Sequence, residues 1–152
     1  MRRLVLALVM CVGVLALASA PADAASPPLK ASFKPLNAQI VKIGSDIATA
    51  IKEADNETDA QLAKQFQGLA TRATASSIKV GKLKGATGAT LTIQRNLQLA
   101  LAKGASDLAS IYAAAVLHSA PKAKAATIKL YKDSVPIKTF RLAFLKALGG
   151  KS

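Results

Sequence analysis

His118 is the only histidine and Cys11 the only cysteine among 152 residues. Hydrolytic, redox or metal chemistry would therefore have to be assembled from carboxylates and a single imidazole. The acid nearest to His118 in sequence is Asp107; on a helix about three turns separate the two, too far to share a metal ion. One histidine without a thiolate is a poor basis for zinc or haem, so no metal site and no cofactor is expected. Near a helix C-terminus the imidazole has a plainer role, because positive charge is favoured beside the last unpaired carbonyls.

Glu53, Asp55, Glu57 and Asp59 form the one cluster of carboxylates. Two carboxyls flanking a glycosidic bond are the equipment of polysaccharide hydrolysis, but the acid partner needs a pKa raised by apolar surroundings. Nothing of that kind surrounds these four. The glycine and terminal glutamate of an EF-hand calcium loop are missing, and no Gly-x-Ser-x-Gly presents a serine nucleophile. The cluster reads as a solvated turn, and no catalytic residue is assigned. Asn56-Glu57-Thr58 fits a glycosylation sequon, yet Thr58 already has a role as a helix cap. Gly81, Gly85 and Gly88 lack the preceding strand and Gly-Lys-Ser/Thr ending of a phosphate loop.

The C-terminal segment carries the strongest functional signal. Over residues 60–152, 15 basic residues oppose only Asp107 and Asp133, and the whole chain has a formal charge of +13. So one-sided a field draws polyanions and anionic lipid. Lys122, Lys124, Lys129, Lys132, Lys138, Arg141 and Lys146 form the expected anion-binding surface, with anionic lipid or cell-wall polymer as its partner. Nucleic acid is disfavoured, because the lysines lack an interleaved aromatic stacking platform. Ile137, Phe140, Phe144 and Leu148 share one side of a helix over 137–148. That side suits a membrane interface or, more commonly, a bundle core.

The elements that would position these residues are helical. Alanine, the best helix former, is the most abundant residue. Two adjacent prolines without periodicity make 25–34 a flexible tether. Leu36, Ile40, Ile43, Ile47, Ala50 and Ala54 then recur at steps of four and three, one seam of a first helix over about 35–55. Thr58 and Gln61 form a capping box for a second helix, whose seam runs through Leu62, Phe66, Leu69, Ala73, Ser76, Val80 and Leu83. A third helix over about 89–118 aligns Ile93, Leu97, Leu101, Leu108, Ile111 and Ala115, with Arg95, Lys103 and Asp107 opposite. Gly104 on that helix implies a close crossing or a bend. Pro121 starts a fourth segment, about 121–134, and Pro136 separates it from the last, about 137–148. The expected fold is all-α: an antiparallel bundle of four main helices in two hairpins, the last helix split near Pro136. Residues 35–150 would form one domain.

The N-terminus reads as an export signal. Arg2 and Arg3 precede Leu4–Leu17, an apolar run of 14 residues, shorter than the ~20 that a spanning helix needs. Cleavage after Ala20 would leave Pro21 first, so Ala24 is the favoured site and 1–24 the cleaved segment. A lipid anchor at Cys11 is disfavoured, because Met10 occupies the place of a small residue and apolar sequence continues beyond. Cleavage would remove the only thiol and leave no transmembrane segment. The sequence thus implies a secreted or periplasmic, non-enzymatic, basic protein, of bacterial type by its short signal and alanine-rich composition. It would bind anionic envelope or extracellular polymer or lipid. A small hydrolase using the 53–59 carboxylates and a self-associating module with exposed seams are the alternatives. The sequence does not set the oligomeric state.

Overall fold

In the computed structural model, which describes residues 27–149, all regular structure is helical. The elements are α1 Pro27–Glu53, α2 Asp59–Gly81, α3 Gly88–Val116 and α4 Ala120–Ala147, with a single 3₁₀ turn at Ala54–Asn56. The all-α bundle of four helices is thus as expected. The export signal expected over 1–24 lies outside the described residues, as do Ala25 and Ser26.

The tether expected over 25–34 is corrected: from Pro27 onward it is helix. Pro27 and Pro28 occupy the first turn of α1, where the missing N–H has no intrahelical partner to lose and the fixed φ suits a helix. Leu29 and Phe33 extend the α1 seam toward its N-terminus at the same steps of four and three, and they are 1% and 0% exposed. Pro35, expected at the first helical position, lies inside α1. It deprives the Ala31 carbonyl of a donor, but Ala31 and Pro35 are both on the exposed side, where water can take over.

The split near Pro136 is corrected as well. α4 runs unbroken from Ala120 to Ala147 with Pro136 inside it. The carbonyl that Pro136 leaves without a donor belongs to exposed Lys132, again within reach of water. Burial of Leu130 before the proline and Phe144 after it anchors both halves to the same core.

Two clusters fill the bundle. One joins Leu29, Phe33, Leu36 and Ile40 of α1 to Val80 at the end of α2, Leu97 and Leu101 of α3, and Phe144 and Leu148 at the end of α4. The other joins Ile43 and Ala50 to Phe66, Leu69 and Ala73, to Ala105, Leu108 and Ile111, and to Leu130. The seams expected on the separate helices therefore meet inside one chain. α3 is the central element, packing against both α2 and α4. It is long and apolar enough to cross a membrane by length and composition alone, with half of its most apolar window buried.

The connections are made by side chains as well as backbone. Thr58 caps α2 in a full capping box, its Oγ1 accepting from the Gln61 N–H at 3.3 Å while Gln61 Oε1 accepts from the Thr58 N–H at 2.8 Å. At the other end of α2, buried Gln94 donates to the carbonyls of Val80 (2.8 Å) and Leu83 (3.0 Å), tying α3 to the last turn of α2 and the chain just beyond it. Gly104 sits at a close crossing: a Cβ there would meet Ile137 Cδ1 of α4 at 3.0 Å.

Candidate anion-binding surface

α4 carries all seven cationic residues expected to form the surface, and they divide into two groups. Lys122, Lys124, Lys132, Lys138 and Lys146 are exposed and enter none of the ion pairs found among the described residues. Lys129 and Arg141 are engaged in holding the bundle. Lys129 Nζ lies 2.7 Å from Asp107 Oδ1 on α3. Arg141 Nη1 donates to Asn37 Oδ1 of α1 at 2.9 Å.

Lys129 belongs to a charge cluster between α3 and α4. Asp107 is fully buried and Asp133 nearly so, and Lys103 Nζ lies 2.9 Å from Asp133 Oδ1. Burial pushes the Asp107 carboxyl up, and the neighbouring Asp133 adds to the rise against the pull of Lys129. Lys103 holds Asp133 below the usual carboxylate range, helped by a hydrogen bond with Asp107. The Asp107 carboxylate in turn raises Lys129. Beyond that mutual contact, the buried Asp107 Oδ2 and Asp133 Oδ2 have no hydrogen-bond partner. The expected position of Asp107 on the side of α3 opposite its seam is thus no solvent face, because α4 covers it.

The outward side of α4 has its own periodicity. Lys124, Ile128, Tyr131, Val135 and Lys138 follow at steps of four, three, four and three, one stripe along a helix. The core stripe is Leu130, Asp133, Ile137 and Phe144, about half a turn away. Ile128 is 46% exposed, Tyr131 43% and Val135 63%. The face expected over 137–148 is turned inward: Phe144 and Leu148 are buried, with Ile137 and Phe140 packed against the same cluster. The choice between core and membrane for those four residues falls to the core. Tyr131, expected from the sequence to share a face with Ala126 and Leu130, is turned outward instead; for Ile128 and Val135 the second run of fours and threes was the available signal.

The 53–59 carboxylates do not converge. Glu53 and Asp55 are exposed. Glu57 Oε1 accepts from Gln65 Nε2 at 2.6 Å. Asp59, at the start of α2, meets His118 at the end of α3, with Nδ1 2.6 Å from Oδ2. His118 takes a left-handed backbone, φ 51. The His118 N–H donates to Ala115 O and the Ser119 N–H to Ala114 O, the bonding of a Schellman turn that usually places glycine there. The pair borders an open pocket of about 210 Å³ lined by Ile51, Leu62, Phe66 and Ile111. The His118 side chain is 76% exposed, so the contact is an ordinary surface pair. Among the described residues, no group of three or more His, Cys, Asp or Glu is placed to hold a metal ion. Comparison with protein-family models, with curated proteins and with solved structures gives no match to this chain.

Proposed function

We propose that this chain is an exported, non-enzymatic helical protein that adsorbs to anionic envelope or extracellular lipid or polymer through the outward face of α4. The observation that carries this reading is Lys124, Lys132, Lys138 and Lys146 on the outward half of α4, with Lys122 in its first turn, all exposed and outside every ion pair among the described residues. Lysines held on a rigid helix, with the two nearby acids committed to Lys103 and Lys129, leave a local positive field with little to cancel it. Such a field concentrates anionic ligands at the surface and weakens as salt shortens the Debye length. Lys129 and Arg141 contribute to the field, but their contacts to Asp107 and Asn37 give them a structural task.

The test is retention on anionic envelope fractions at about 0.05 M and about 0.5 M salt, for the native protein and a Lys122→Gln, Lys124→Gln, Lys132→Gln, Lys138→Gln variant. Retention at low salt, loss at high salt and loss in the quadruple variant are expected. Unchanged retention in that variant, with native helicity, would overturn the reading.

A further inference from the structure

The lysines of α4 do not stand alone on their face, and what lies between them narrows the partner. Elsewhere the exposed large apolar residues are Val41 on α1, Ile78 on α2, Leu99 on α3, and the adjacent Val116 and Leu117 where α3 ends. α4 exposes three within two turns, Ile128, Tyr131 and Val135. They lie in one stripe that begins at Lys124 and ends at Lys138, with Lys132 beside it. Scattered single apolar residues are normal on a protein surface, whereas a contiguous strip bounded by cations has a ligand chemistry of its own.

We infer that this strip docks on the surface of an anionic lipid bilayer. Ile128 and Val135 enter the boundary between headgroups and acyl chains, the Tyr131 ring lies at headgroup level, and Lys124, Lys132 and Lys138 meet the lipid phosphates. This deepens the adsorption reading and rests on it. A soluble polyanion would satisfy the lysines and leave the three apolar side chains in water. A bilayer satisfies both, since it offers negative charge and an apolar layer a few ångströms beneath it. A second copy of the chain would bring the lysines of the two strips against each other, which like-charge repulsion opposes. The orientation follows from the fold: with Leu130, Phe144 and Leu148 buried in the core, α4 lies flat on the membrane and the bundle stays folded above it.

The chain has no tryptophan, so Tyr131→Trp introduces a single reporter at the centre of the strip. Emission of that variant is read with vesicles of phosphatidylglycerol and phosphatidylcholine, with phosphatidylcholine alone, and with soluble polyphosphate. A blue shift is expected with the anionic vesicles only. In co-sedimentation, an Ile128→Ser, Tyr131→Ser, Val135→Ser variant, its fold checked by circular dichroism, should bind anionic vesicles about tenfold more weakly or worse. Its retention on immobilised polyphosphate should be unchanged.

Native protein that binds polyphosphate but not vesicles would overturn the lipid inference and leave adsorption standing. Binding to neither would overturn both. Vesicle binding that survives the triple substitution would refute insertion of the strip. A native dimer in sedimentation that the triple substitution dissolves would assign the strip to self-association instead.

Discussion

The ring of Phe33 stands 4.7 Å from the ring of Phe144, edge to face at 77°, and this contact ties the start of α1 to the end of α4. Both side chains are fully buried. Beside it, Lys30 Nζ donates to the Gly149 carbonyl at 3.0 Å and Arg141 reaches Asn37. Phe33→Ala and Phe144→Ala should each cost about 3–5 kcal/mol in denaturant unfolding. A double-mutant cycle should show a coupling of about 1 kcal/mol. Were 25–34 a tether after all, Phe33→Ala would cost almost nothing.

The buried acid pair gives the protein a pH dependence with opposing parts. Asp107 is raised by burial, so its contribution is fully present below the unfolded pKa and is lost as pH rises through the folded value. Asp46, held down by Arg72 and then Lys42, and Asp133, held down by Lys103, act in the opposite sense. Their contributions are present above the unfolded value near 3.8 and are lost as pH falls through the folded values. Asp107→Asn copies the protonated acid. It should stabilise the protein by about 1 kcal/mol at neutral pH, with the gain fading on acidification as the native Asp107 takes up its proton. Urea unfolding across the acid-to-neutral range measures this, and a constant gain at all pH values would count against the raised Asp107.

His118 separates backbone from side-chain effects. Its left-handed φ of 51 costs a residue with a Cβ about 1–2 kcal/mol, while the exposed contact to Asp59 returns on the order of 0.5 kcal/mol. His118→Ala should therefore destabilise slightly, and His118→Gly should be more stable than the native chain by about 0.5–1 kcal/mol. Thermal unfolding of the two variants gives the answer, and equal stabilities would rule out the backbone account.

Gly104 tests the crossing of α3 and α4. Alanine gains about 1 kcal/mol of helix propensity, but its Cβ would press on Ile137 Cδ1 at 3.0 Å. Gly104→Ala should be close to neutral alone and stabilising by about 1 kcal/mol in an Ile137→Val background, compared with Ile137→Val itself. The difference between the two backgrounds, measured by urea unfolding, is the cost of the contact.

Four helices were legible in the chain because apolar residues at steps of four and three can lie on one face only if the backbone is helical. Thr58 with Gln61 located the start of α2, because a capping box is local to one helix end, whereas Gly104 implied a close crossing or a bend, and only the approach of Ile137 on α4 selects the crossing. The prolines misled: Pro27 and Pro28 fit the first turn of α1, where no hydrogen-bond partner is lost, and the carbonyl that Pro136 leaves free belongs to exposed Lys132, within reach of water. Asp107 was misplaced because a seam read on α3 alone shows one buried side, whereas α2 and α4 bury two. Among the α4 cations, sequence could count charges but not separate Lys129 and Arg141 from the rest, because their partners Asp107 and Asn37 belong to other helices.

By itself, then, the sequence determined that the domain is helical, where most helices lie, and that its positive charge is gathered in the second half. Periodicity and composition are properties of the chain and survive any arrangement of the helices. Tertiary structure decided which side of α4 faces the core, which lysines remain outside the ion pairs, and that Ile128, Tyr131 and Val135 stand among them in solvent. Those are properties of neighbours, and a neighbour distant in sequence comes close only when the bundle closes.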